Sequence, residues 1–183
     1  KRFIWMPNNT SATYVNDYSI LNFPIGTVLI KNFYYDTVQP DNTTRIIETR
    51  LMYNTSEGWK FAEYIWNNSQ TEAVLNMNGS TTGISFTENG ETKNITYRIP
   101  SEAECFTCHK NGVNAVPIAL KPQNINSNYN YSDGSNNQLS KWVELGYLSG
   151  NIPTNIDTVV DWEDASQDIT QRIRGYLDIN CAH

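Results

Sequence analysis

Histidine and cysteine are scarce in this chain, at two and three among 183 residues. Methionine is as rare, at three. Any metal or redox chemistry that uses those side chains must be built from a handful of positions. No stretch reaches the roughly 20 apolar residues that a membrane-spanning helix needs. The longest apolar runs, near residues 25–30 and 113–120, are short and broken. Basic runs are also missing, and the formal charge is −6. That argues against nucleic acid, whose binding rests on clustered Lys and Arg. The sequence has no internal repeat, no phosphate loop, no setting for a serine nucleophile and no evident acid/base pair. It shows no signal peptide, and Lys1 is not an initiator methionine. The expectation is a processed or trimmed product, in which a removed export signal is allowed.

Asparagine is abundant, and N-x-S/T triplets start at Asn8, Asn9, Asn42, Asn54, Asn67, Asn78, Asn94 and Asn130. They read as a bias toward Asn in loops, because so short a pattern is easily met by chance. Residues 124–137 are rich in Asn and Ser around Asp133-Gly134 and predict a long surface loop.

The first hundred residues have the pattern of strands. Branched and aromatic residues dominate 25–35, 45–53, 59–66, 71–77, 82–87 and 93–99. Ser56-Glu57-Gly58, Asn78-Gly79 and Asn89-Gly90 separate several of them, and Asn-Gly between extended runs signals a hairpin. Short strands with turns every ten or so residues predict an antiparallel sheet or sandwich.

The character changes after Pro100. Ser101-Glu102-Ala103-Glu104 reads as a capping box at a helix start. Leu139, Trp142, Val143 and Tyr147 repeat at helical spacing and predict a helix over about 137–148, closed by Gly150. A third helix is expected from about Asp164, with Gln167 as capping partner and a stripe of Ile169, Ile173, Tyr176 and Leu177.

One motif carries chemistry. Cys105-Phe106-Thr107-Cys108-His109 is C-x-x-C-H, the attachment pattern of c-type haem. If Ser101 caps the helix, residues 105, 108 and 109 stand at i, i+3 and i+4 and share a face. The two sulfurs then tether the porphyrin edge, and His109 supplies the proximal ligand. Rival readings exist. A thiol–disulfide motif usually accompanies a βαβ pattern, which is not seen here. A zinc site needs four ligands, for which Cys105, Cys108, His109 and Cys181 are the available set. The adjacency of Cys108 and His109 is awkward for that geometry. A chance match is the last alternative.

Candidates for the sixth iron ligand are Met77, Met52 and Met6, each of which also has a simple packing role. Arg50 or Lys31 is a candidate to neutralise a haem propionate. The carboxylates Glu102 and Glu104 suit the positive end of the haem helix, and Asp161, Glu163 and Asp164 that of the last one.

The sequence resembles a group of exported bacterial c-type cytochrome-like proteins of unassigned function. The resemblance covers most of the chain. It lies in Ile4-Trp5-Met6-Pro7, Phe23-Pro24-Ile25-Gly26-Thr27-Val28-Leu29-Ile30-Lys31, Glu48-Thr49-Arg50-Leu51, Trp59, Tyr64-Ile65-Trp66-Asn67, Thr71-Glu72-Ala73, Tyr97-Arg98-Ile99-Pro100-Ser101 and the haem motif. It implies a periplasmic, outer-membrane-attached or extracellular protein. It also implies that Tyr176-Leu177-Asp178-Ile179-Asn180-Cys181-Ala182-His183 runs on into a second C-x-x-C-H. Cys181 would then be the first thioether cysteine of a second haem, and the chain a fragment of a longer cytochrome. His183 would not be that haem's axial ligand. The alternative is a true C-terminus with a free or intermolecular cysteine.

The expectation is therefore an α+β fold: a β-rich part over residues 1–100, then a helical c-type haem-binding part over 101–183, packed as one unit. The expected function is electron transfer by haem c to an unknown redox partner, within a multihaem assembly if the second site is completed. The alternatives are a haem oxidoreductase with an open iron position and an exported, zinc-stabilised binding or structural module.

Overall fold

A computed structural model of the chain describes residues 1–181. In chain order the elements of the first hundred residues are β1 (Arg2–Trp5), β2 (Ala12–Thr13), β3 (Val28–Val38), β4 (Thr43–Thr55), β5 (Gly58–Trp66), β6 (Ala73–Leu75), β7 (Ser80–Glu88) and β8 (Glu91–Ile99). Then come α1 (Glu102–Cys108), β9 (Lys110–Asn111), β10 (Asn114–Ala115), α2 (Pro122–Ile125), β11 (Asn128–Tyr131), β12 (Gly134–Asn137), α3 (Gln138–Glu144), β13 (Leu148–Ser149) and α4 (Ile169–Asn180). The chain divides into two compact units, one of residues 1–5 and 26–108, the other of residues 6–25 and those from His109 onward.

The first unit is a curled antiparallel sheet of order β6-β5-β4-β3-β7-β8, with β1 also paired to β3. Its hairpins follow the Gly58 and Asn89-Gly90 turns, where φ is positive. One register shift matters for the site. Glu48 pairs with Phe33 and Ile46 with Tyr34, which leaves Ile47 as an extra residue in β4. Such a bulge breaks strict in/out alternation and bends the strand. Here it allows the consecutive Ile47 and Glu48 both to be buried. Ile47 joins Val38, Ile84, Phe86 and Ile99 in an apolar cluster, flanked by Tyr35, Ile65, Ile95 and Tyr97.

The second unit is stitched from small pieces. β2 and β13 pair in parallel, β9 pairs with β10, and β11 with β12. Met6, Ala12, Leu21, Phe23, Ile125, Leu139, Leu148 and Ile156 are among its buried apolar residues. Lys121, which is 5% exposed, donates to Asp178 Oδ1 at 2.7 Å, and Gln123 Nε2 donates to Asp178 Oδ2 at 2.9 Å. The pair fastens α4 to the segment around α2.

The expected helical haem-binding part is not what forms, so the α+β reading needs correction. The described residues are 41% strand and 17% helix. Among them α4 is the only helix longer than seven residues. The physical reasons are local. Asn137 caps α3 through a bond from Ser140 N, but the helix stops at Glu144 because Gly146 follows with φ of +75°. The stretch expected as loop, 124–137, instead folds β11 and β12 into a hairpin. Asp168, not Asp164, caps the last helix, accepting from Thr170 N and Gln171 N. No described helix is long and apolar enough to cross a membrane.

Gly175 inside α4 tests how that helix is seated. A methyl group there would run into the Val160 carbonyl oxygen and press on Val159 Cγ1 at 3.1 Å. Helix propensity alone favours alanine over glycine by about 1 kcal/mol. Overpacking against rigid backbone costs about 1–3 kcal/mol and wins. Gly175→Ala is therefore expected to lower stability in urea unfolding, where propensity alone would raise it.

Candidate functional site

The motif begins on a well-made helix start. Ser101 N donates to Glu104 Oε2 at 2.7 Å, and Glu104 N donates to Ser101 Oγ at 3.4 Å. This is the reciprocal capping box expected from the sequence. Arg98 Nη2 adds an ion pair to Glu104 Oε2 at 2.7 Å, and Glu102 N donates to the Met77 carbonyl at 3.1 Å. These bonds tie the first turn of α1 to β8 and to the chain after β6.

Cys105 and Cys108 lie one turn apart in α1, yet their surroundings differ. Cys108 is exposed. Cys105 is 9% exposed and donates its S–H to Glu63 Oε1 of β5 at 2.6 Å. Burial first, then the Glu63 hydrogen bond, pushes the Cys105 thiol up to about 12. Glu63 itself is 1% exposed. Burial raises its carboxyl, and the thiol hydrogen bond pulls the other way. Its Oε2 is buried with no hydrogen-bond partner among the described residues.

A second buried carboxylate is fully occupied. Glu48 accepts from Arg50 Nε at 2.9 Å, from Arg50 Nη2 at 2.5 Å and from the Tyr97 hydroxyl at 2.6 Å. Burial and that hydrogen bond raise the Tyr97 phenol. Arg50, expected as a propionate partner, is thus engaged as a fork on Glu48 and stacked over Phe33. Lys31 also lies over the Phe33 ring, and burial lowers its ammonium.

His109 follows directly on the last residue of α1. Its carbonyl and ring are also held by a hairpin. Val116 N donates to the His109 carbonyl, and His109 Nδ1 faces the Val116 carbonyl, both at 3.2 Å. The β9–β10 hairpin between them turns at Gly112, whose φ is +60°. A carbonyl oxygen only accepts, so in this contact Nδ1 is the donor. A metal-ligating imidazole is commonly oriented in this way.

The three methionines separate clearly. Met52 in β4 and Met6 are each 8% exposed and belong to cores. Met77 is half-buried and lines an open cleft of about 580 Å³, together with Ile65, Trp66, Val74 and Leu75. Cys181 follows α4 and is exposed, and His183 lies outside the described residues. Among the described residues no three of His, Cys, Asp and Glu converge as a metal-binding group.

Glu63, Glu48 and Tyr97 were not visible as site residues in the sequence. The signal was present in Phe61-Ala62-Glu63-Tyr64-Ile65 and Ile46-Ile47-Glu48, where a lone acid interrupts an apolar strand. Comparison with protein-family models, curated proteins and solved structures returned no match.

The capping box makes a pH test. The Ser101 N–H, and next the Arg98 guanidinium, hold the Glu104 carboxyl down at about 2, below its ordinary 4.5. A carboxyl depressed by folding stabilises fully above its unfolded value, and the benefit fades as pH falls through the folded one. Glu104→Gln is thus expected to lower the melting temperature at pH 6, with the deficit shrinking between pH 4.5 and 2.

Proposed function

We propose that this chain is a c-type cytochrome that carries electrons through one haem tethered by Cys105 and Cys108 and ligated by His109. The observation that carries the reading is the His109 ring, held through Nδ1 by Val116 directly after two thiols on a capped helix. The donor types suit the group, and Cys105 must turn away from Glu63 to take its part. Two sulfurs one helical turn apart suit two thioether bonds, and the Nδ1-protonated tautomer offers Nε2 to iron. Haem bound there supplies an iron that cycles between ferric and ferrous states.

The chain's own residues do the rest. Cys105 and Cys108 hold the group covalently. The Val116 carbonyl fixes the imidazole tautomer and makes Nε2 more basic. The capping box and the Arg98–Glu104 pair hold α1 rigid at the end that precedes the thiols. Electron transfer asks for no acid/base pair. In line with the resemblance, we place the protein in the periplasm, on the outer membrane or outside a bacterial cell.

The test is the absorption spectrum of protein made in a host with a haem-attachment system, followed by the pyridine haemochrome after denaturation. A c-type spectrum that survives denaturation is expected, and it should be lost in the Cys105→Ala/Cys108→Ala double variant. His109→Ala should keep the covalent pigment and, when reduced, bind carbon monoxide more readily. A colourless protein from that host overturns the reading.

A further inference from the structure

The two motif thiols sit on one short helix in opposite chemical states. Cys108 is exposed, whereas Cys105 is buried against a buried carboxyl group. A thiol reacts as its thiolate, and burial beside a negative charge suppresses that form. The groups that face Cys105 are Glu63 of β5 and, farther off, Glu48 and Arg50 of β4; the two acids favour the thiol and Arg50 opposes them. Arg50 is already committed to Glu48. After burial itself, Glu63 is therefore the group that weighs most on the Cys105 thiol. Its one occupied oxygen is occupied by Cys105 alone among the bonds shown, and its other oxygen has no partner among the described residues.

We propose that Glu63 is a positioning residue that guards Cys105 as a shielded thiol, so that Cys108 reacts first and the pair does not close to a disulfide. Consider a small disulfide oxidant such as glutathione disulfide. The Cys108 thiolate attacks one of its sulfurs, forms a mixed disulfide and releases one glutathione thiolate. Ring closure then needs the Cys105 thiolate to attack the Cys108 sulfur, expelling the second glutathione. The proton on Cys105 must leave for that step, and Glu63 holds the thiol in its protonated, buried state. The reaction stops at the mixed disulfide, which a reductant reverses by ordinary exchange. A closed disulfide would remove both sulfurs needed for thioether formation, so the guard preserves the motif until α1 lifts from β5. The asymmetry stands without haem; its consequence, Cys108 tethered before Cys105, rests on the cytochrome reading.

The test uses the full 183-residue chain made without haem attachment. Each cysteine is alkylated with iodoacetamide across pH and followed by peptide mass spectrometry. In the wild type, Cys105 should react at least about a hundredfold more slowly than Cys108 at pH 8. Glu63→Gln keeps the shape and an acceptor oxygen but removes the charge, so the midpoint of the Cys105 pH–rate curve should move down by about a unit or more. With glutathione disulfide, the wild type should accumulate the Cys108 mixed disulfide, and Glu63→Gln should proceed to the Cys105–Cys108 disulfide. Burial of an ionisable carboxyl is costly, so the amide is expected to fold, and circular dichroism checks this. Equal reactivity of the two wild-type thiols overturns the proposal. So does a Glu63→Gln variant in which Cys105 speeds up equally at every pH, since that is mere loosening. Failure of the cytochrome reading shows separately, as absence of pigment from a haem-attaching host.

Discussion

Glu48 is removed from water in the middle of a β-sheet, and much of the first unit is arranged around that fact. A buried carboxylate is tolerable only when its oxygens are matched by donors, because the desolvation penalty is several kcal/mol. The bulge at Ile47 admits it to the interior. Arg50 returns from two residues along the same strand as a fork, and Tyr97 reaches in from β8. These donors are then used up. The neighbouring acid, Glu63, is left with a thiol as its only hydrogen-bond donor among those shown, and that thiol belongs to the haem motif. The state of Cys105 thus follows from how the sheet satisfies a different residue.

The strands were legible because their information is local. Alternation, β-branched and aromatic residues and Asn-Gly turns all act over a few positions. They placed β3, β4, β5, β7 and β8 within a few residues of where they form. The capping box at Ser101 was legible for the same reason. The second half misled because apolar spacing near 137–148 and 164–177 looks helical whatever stops the helix. Gly146 at positive φ ends one early, and Asp168 starts the other late. The Asn- and Ser-rich stretch pairs as a hairpin through its backbone, which side-chain composition does not report.

The site divides along the same line. Cys105, Cys108 and His109 are visible as five letters of sequence. The partners that set their chemistry are not, since Glu63 lies 42 positions from Cys105 and is found only through sheet register and helix docking. The chain also splits into its two units between Cys108 and His109. The motif's sulfurs are thereby governed by the sheet and its imidazole by a separate hairpin.

The sheet ends differently on its two sides. β8 closes one side with Glu91, Lys93 and Asn94 exposed, residues that discourage pairing with a foreign strand. β6 closes the other with three residues, and its Val74 and Leu75 are 64% and 52% exposed. Short length is the main protection there, since three residues offer a poor template for a new ladder. In concentrated solution or during refolding, self-association should therefore begin at β6, and one charged residue at position 74 is the economical way to keep the protein dispersed.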